Sequence, residues 1–191
     1  MTVECPEFII YTGPMFASKT TRLLQDLDRL QRQGKRVIAF KPLLDDRYAE
    51  DQIISHPGER WPARPVAAGA GILKSLTADE ETYDVVAVDE AFMIPGVAAV
   101  LKWLYAQGVT IIVASIDMSF QCTPFIEVGA MLPFATRVEK LTAICDVCPS
   151  EARYTYKKID DDKEIAVGGN ELYAPRCFKH HPYVADAFTG E

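Results

Sequence analysis

Short, unbroken apolar runs alternate along the chain with stretches whose apolar residues recur at helical spacing. Phe8 to Tyr11 is a run of strand type closed by Gly13-Pro14, and Leu23, Leu24, Leu27 and Leu30 after it share one helix face. Val37 to Phe40 reads as a second buried strand, ended by Lys41 and Pro42. From Leu44 to about Ser55 the chain carries Asp45, Asp46, Arg47, Tyr48, Glu50 and Asp51 without periodicity. That segment is expected to be a mobile surface loop with no core of its own. Ala67 to Leu76 suits a short helix, Asp84 to Val88 a buried strand, Val97 to Gln107 a helix ended by Gly108, and Val109 to Ala114 another buried strand. Continuous apolar strands alternating with helices predict a parallel sheet covered on both faces, an α/β fold with right-handed crossovers.

The texture changes near Cys145. Two cysteines, a hairpin-like stretch of mixed charge, Gly168-Gly169 and a further cysteine follow. The reading is therefore a main α/β domain over residues 1–142 and a small module over residues 143–191. The length of 191 residues allows one sizeable core and little beyond it.

Charge narrows the partners. With 27 acidic against 20 basic residues, a net charge of -7 does not suit a chain whose main task is gripping a nucleic-acid backbone. The basic residues Lys157, Lys158 and Lys163 are interrupted by Asp160, Asp161 and Asp162, so no continuous basic strip forms. No nucleic-acid polymer is expected as a partner. No apolar run has the length to span a bilayer, and the first residues lack the pattern of a secretory signal, so no membrane association and a cytoplasmic location are expected.

Gly13-Pro14-Met15-Phe16-Ala17-Ser18-Lys19-Thr20 has the spacing of a phosphate-binding loop, with Ser18 where the second glycine usually stands. It follows a predicted strand and opens a predicted helix. Backbone N–H groups and the helix N-terminus can then face phosphates, with Lys19 reaching the outer ones and Thr20 coordinating magnesium. Taken alone, the segment also fits a Gly-Pro turn before an amphipathic helix. Val85-Val86-Ala87-Val88-Asp89-Glu90 sets an acid pair at the carboxyl end of a predicted central strand, the edge where parallel sheets bind ligands. Asp89 can approach the magnesium, and Glu90 can accept a proton from an acceptor hydroxyl.

Five cysteines, an odd number, include Cys145-x-x-Cys148 and Cys177-x-x-His180. Three sulfurs and one nitrogen in two such knuckles suit a closed, structural tetrahedral zinc rather than a disulfide framework, with His181 an alternative to His180.

In order and spacing, Gly13 to Thr20, Lys41-Pro42 before Asp45-Asp46-Arg47-Tyr48, Asp89-Glu90-Ala91, Asp117-Met118-Ser119-Phe120-Gln121 and the cysteine pairs resemble the zinc-containing, type II thymidine kinases over residues 7 to 181. The resemblance implies a P-loop NTPase-type sheet with a small zinc ribbon carrying a lasso loop, and transfer of the γ-phosphoryl of ATP to thymidine. It implies that the triphosphate is held by Gly13 to Thr20, with Asp45, Asp46 and Arg47 beside it and Arg47 stabilising charge during transfer. Glu90 would be the base, and Phe120 would stack on thymine. Glu164, Ile165, Ala166, Val167 and Gly168, with Tyr173, would form the lasso, while Met15 and Thr155 would lie close to the base. A homotetramer and feedback inhibition by dTTP are further implications. Ser18, Phe92 and Met118 depart from the pattern, replacing a glycine, a glutamine and a small residue. On the residues alone, Phe120 and Tyr173 read as packing aromatics sooner than as ligand contacts. A nucleotide-binding zinc-ribbon protein without kinase turnover, with or without nucleic-acid binding, also stays open.

Overall fold

A computed structural model of the chain describes residues 5–45, 51–79, 81–159 and 167–189. Along the chain come β1 (Phe8–Thr12), α1 (Lys19–Arg32), β2 (Val37–Pro42), β3 (Gln52–Ile54), β4 (Arg60–Pro62), β5 (Arg64–Val66), α2 (Gly69–Ala78), β6 (Val85–Asp89), α3 (Val97–Ala106), β7 (Thr110–Ala114), α4 (Ile126–Met131) and β8 (Arg137–Lys140). Then follow β9 (Ala143–Ile144), β10 (Glu151–Ala152), β11 (Tyr154–Lys157), β12 (Tyr173–Arg176) and α5 (Val184–Thr189).

Six strands form one sheet in the order β5-β2-β6-β7-β1-β8, and every pair in it is parallel. The apolar runs of β1 and β6 are buried at every position, as a sheet covered on both faces demands. Alternation splits them between two cores. Phe8 and Ile10 of β1, Val86 and Val88 of β6, and Ile111 and Val113 of β7 pack with Ile72, Leu101 and Met131 from the helices α2, α3 and α4. Ile9, Tyr11, Val85, Ala87, Ile112 and Ala114 face the other way, onto Leu23, Leu24 and Leu27 of α1.

Several contacts fix the helices around the sheet. Gly69 at the start of α2 lies so near Gly96 that a Cβ would stand 2.5 Å from the Gly96 carbonyl oxygen, so α2 and α3 meet at a backbone contact only glycine allows. Glu127 in α4 caps α3 from outside, its two carboxylate oxygens accepting the N–H groups of Gly96 and Ala98 at 2.7 and 2.9 Å. On the other side of the sheet, Arg137 of β8 donates to both the Tyr11 hydroxyl and the Asp26 carboxylate, at 2.8 and 3.0 Å, tying the edge strand to β1 and α1. Burial, and then the hydrogen bond to Asp26, push the Tyr11 phenol well above its usual pKa.

The sequence pattern does not announce the short elements β3, β4, β5, α4 and β8. The expected loop from Leu44 to Ser55 ends in a strand, β3, which pairs antiparallel with β4; Ile53 at its centre is 2% exposed and belongs to the α1-side core. Two adjacent isoleucines, Ile53 and Ile54, between polar residues are too short a run to show a period, and the partner strand lies beyond a turn at Ser55 to Gly58. Asp46, Arg47, Tyr48, Ala49 and Glu50 of that segment lie outside the described residues. The sixth sheet strand, β8, carried no apolar run because it is an edge strand whose Arg137, Val138 and Lys140 are exposed.

Beyond β8 the pairing is antiparallel and short, β9 with β10 and β11 with β12. Among the described residues no helix is long and apolar enough to cross a membrane.

Candidate functional site

The phosphate loop leaves the carboxyl end of β1 and is held in shape by its surroundings. Gly13 has φ +130, and a Cβ there would stand 2.2 Å from the Leu141 carbonyl oxygen, so both the backbone angle and the close approach require glycine. The Met15 N–H donates to the Thr155 hydroxyl at 3.0 Å. Phe16 and Ser18 adopt left-handed backbone at φ 66 and 58. The Ser18 angle explains why glycine usually fills this position, and the serine occupies it under strain. Ser18 is exposed and its side chain makes no cap hydrogen bond to α1.

Lys19 is buried, 8% exposed, and its ammonium donates to the Pro14 carbonyl at 2.6 Å across the loop. Next to it, the Thr20 hydroxyl donates to the Asp89 carboxylate at 3.2 and 3.3 Å. That contact brings the loop threonine and the strand-end acid together across residues far apart in sequence. Glu90 follows in left-handed backbone at φ 48, turning the chain sharply off β6 into the short 3-10 turn Ala91–Met93. A non-glycine residue held in this region is strained, and such residues gather at functional sites.

These groups line one cavity of about 460 Å³ at the carboxyl edge of the sheet. Met15, Phe16, Ala17, Ser18, Lys19 and Thr20 form one wall, and Asp45, Asp89 and Glu90 stand with them. Gly13 and Pro14 of the same segment are not among the lining residues. Asp46 and Arg47 lie outside the described residues. Sequence reasoning missed Lys41, Gln52, Ile54 and His56, which also line the cavity, and the turn at Gly169, Asn170 and Glu171, which closes it from the carboxyl-terminal part. Lys41 did carry a signal, a charge at the carboxyl end of a buried parallel strand. The β3 residues carried none.

A second group adjoins the first through Met15. Thr155 and Lys157 of β11 are buried, and Tyr173 pairs across the ribbon with Lys157. The Lys157 ammonium lies 5.1 Å from the centroid of the Phe120 ring, and Tyr183 meets that ring edge-on at 6.4 Å. Phe120, Thr155 and Tyr173 thus gather on the ribbon beside the loop rather than in the lining of the phosphate cavity. Gly168 is buried and Val167 half-buried next to them, while Glu164, Ile165 and Ala166 lie outside the described residues. Phe92 packs its ring against Phe125 with centroids 4.7 Å apart. An apolar neighbour therefore fills the place where the resemblance expects an amide.

Cys145, Cys148, Cys177 and His180 converge, with one ligand atom from each lying within 4.8 Å of all the others. The Cys148 and Cys177 sulfurs are 3.8 Å apart, far beyond the ~2.05 Å of a disulfide. His180 Nδ1 lies 3.3 Å from the Cys177 sulfur and 3.8 Å from the Cys145 sulfur. Donors around a tetrahedral zinc, with bonds of ~2.0 to ~2.3 Å, stand roughly 3.5 to 3.8 Å apart, so this set fits zinc. Burial pushes the Cys145 thiol up, but the backbone amides of Val147, Cys177 and Cys148 outweigh it and bring the pKa down to about 6, which favours a thiolate donor. His181 faces elsewhere. Its Nδ1 accepts the Tyr183 N–H at 3.3 Å, leaving Nε2–H to donate to the Thr155 carbonyl at 3.0 Å. Cys145 and Cys177 share a small core with Ala17 and Phe16, so the candidate ligand set packs directly on the segment from Gly13 to Thr20. The family model described as thymidine kinase matches residues 7–181 of the chain.

Proposed function

The chain belongs to the thymidine kinase family, and from that premise we propose that it transfers the γ-phosphoryl group of ATP to the 5′-hydroxyl of thymidine. The observation that carries this reading is the cavity in which Lys19, Thr20, Asp89 and Glu90 meet at the carboxyl edge of a parallel sheet. In the transfer, the bond from the 5′-oxygen to the γ-phosphorus forms while the bond to the β,γ-bridging oxygen breaks, and ADP leaves. The proton of the 5′-hydroxyl passes to the Glu90 carboxylate.

Backbone N–H groups of the loop and Lys19 hold the phosphates, and Lys19 exchanges its Pro14 carbonyl partner for phosphate oxygen. Thr20 and Asp89, already in contact, would hold magnesium, which when bound neutralises charge on the outer phosphates. Phe120, Thr155, Tyr173, Met15 and the segment from Glu164 to Gly168 would bind the nucleoside, with Arg47, Asp45 and Asp46 beside the phosphates. Zinc in the Cys145, Cys148, Cys177 and His180 set would be structural, since four protein donors close the coordination. The homotetramer and dTTP inhibition implied by the resemblance belong to the same proposal.

A coupled assay of ADP release with ATP, magnesium and a panel of deoxynucleosides tests the reading. Turnover with thymidine well above the other nucleosides is expected. MgATP binding without turnover on any nucleoside would overturn it in favour of a nucleotide-binding zinc-ribbon protein.

A further inference from the structure

Lys41 lies near the end of β2 and is 3% exposed. One residue beyond the Phe40–Val88 pair on each strand, it stands level with Asp89. Ala39 and Ala87, two residues earlier, both belong to the α1-side core, so strand alternation directs Lys41 and Asp89 to that same face. Both line the phosphate cavity with Lys19 and Thr20. The Lys41 ammonium also donates to the Gln52 carbonyl at 3.4 Å, at the hairpin wall.

An ammonium withdrawn from water is expensive unless its surroundings compensate it, and an apolar side chain would fill a purely structural position at less cost. The described lining sets two lysines, Lys19 and Lys41, against four carboxylates, Asp45, Asp89, Glu90 and Glu171. A polyanion entering a cavity of that balance is favoured by lysines that face its phosphates, alongside the magnesium that Thr20 and Asp89 would hold. Lys19 approaches from the loop, and Lys41 from the neighbouring strand on the far side of Asp89.

We propose that Lys41 is a second phosphate-holding cation, gripping the outer phosphates of the triphosphate from the β2 side while Lys19 grips them from the loop. This rests on the reading of the chain as an ATP-dependent kinase. The rival role for Lys41 is to prop the β3–β4 hairpin through the Gln52 carbonyl. Charge and propping are separable, because Lys41→Gln keeps a donor for that carbonyl and removes the charge, whereas Lys41→Arg keeps the charge.

Calorimetric titration of MgATP and MgADP into the zinc-loaded full chain, its Lys41→Gln, Lys41→Met and Lys41→Arg variants, with melting curves alongside, tests the inference. Lys41→Gln and Lys41→Met are expected to weaken MgATP by about tenfold or more and MgADP clearly less, while Lys41→Arg retains most of the affinity. Thymidine affinity is expected to stay at the parent value. Parent-like MgATP binding in Lys41→Gln overturns the inference, as does an equal loss of both nucleotides together with a lowered melting temperature. A parent protein that binds no MgATP overturns the kinase reading itself, and the inference with it.

Discussion

Met15 in the phosphate loop donates its backbone N–H to the hydroxyl of Thr155, 140 residues later, at 3.0 Å. The same threonine accepts the buried His181 ring on its carbonyl, so one residue joins the loop, the β11–β12 ribbon and the carboxyl-terminal segment. The geometry of the phosphate loop is therefore set partly from outside the sheet that carries it. Thr155→Val preserves shape but leaves the half-buried Met15 N–H without its acceptor, which costs about 1 to 3 kcal/mol. Thr155→Ser keeps the acceptor and should cost little. Urea unfolding of the two variants distinguishes them, and an equal loss in both would mean that the methyl group, not the hydroxyl, does the anchoring.

Metal removal should be felt at the same loop. Cys145 and Cys177 pack against Ala17 and Phe16, so loosening the cluster removes part of the support beneath Ala17 to Lys19. Freshly purified protein is expected to contain about one zinc per chain. Cys148→Ser, or treatment with a strong chelator, should release the zinc, lower the melting temperature and weaken MgATP binding together. Metal analysis, melting curves and nucleotide titration on one preparation check the linkage. Zinc loss with unchanged MgATP affinity would show that the contact carries no support.

Ser18 offers a test in the stabilising direction. Its left-handed backbone costs about 1 to 2 kcal/mol for a residue bearing a Cβ. Glycine removes that cost but gives back roughly 0.5 to 1 kcal/mol of unfolded-chain entropy. Ser18→Gly should therefore be neutral to about 1.5 kcal/mol more stable, while Ser18→Ala, which keeps the Cβ, should lie close to the parent. The midpoint of denaturant unfolding reads the difference. A clear destabilisation by glycine would mean that the serine hydroxyl has a partner in solution that outweighs the strain.

The central strands of the sheet and the loop that follows the first of them were legible in the sequence for one reason: both are written in contiguous residues. Phe8 to Tyr11, Val85 to Val88 and Ile111 to Ala114 are unbroken apolar runs because their strands are covered on both faces, and Gly13 to Thr20 is one contiguous segment from the loop after β1 into the start of α1. The metal set was legible because its four ligands come in two local pairs. The strands β3, β5 and β8 were not legible, since three or four residues at a sheet edge or in a small hairpin need only one inward apolar side chain. Glu127 escaped for a different reason. Its role as a cap for α3 depends on α4 docking alongside, which no local pattern encodes.

The Glu127 cap has a measurable weight. It satisfies two N–H groups at the start of α3 with a negative charge at the positive end of the helix. Glu127→Ala should lower stability by about 1 to 2 kcal/mol without changing zinc content. Glu127→Gln, which retains one acceptor oxygen, should fall between. Equilibrium unfolding with metal analysis checks both, and a parent-like Glu127→Ala would show that water replaces the carboxylate at no cost.

The catalytic assignment turns on the strained turn at Glu90. Asp89 closes β6 and already contacts Thr20, whereas Glu90 is thrown clear of the sheet by its left-handed backbone and stands half-buried in the cavity wall. Two adjacent carboxylates thus occupy different positions, one beside the Thr20 hydroxyl and one in the wall of the cavity. Glu90→Gln keeps the size and one acceptor oxygen but removes the basic group, so binding of MgATP and thymidine should survive while kcat falls by about a hundredfold or more. Asp89→Asn should instead raise the magnesium concentration needed for half-maximal rate as well as slowing transfer, because it weakens the site shared with Thr20. Steady-state kinetics at varied magnesium, paired with equilibrium binding of each substrate, separates the two roles. Parent-rate turnover by Glu90→Gln would remove Glu90 as the proton acceptor, and an identical magnesium dependence in Asp89→Asn and the parent would remove Asp89 from the metal site.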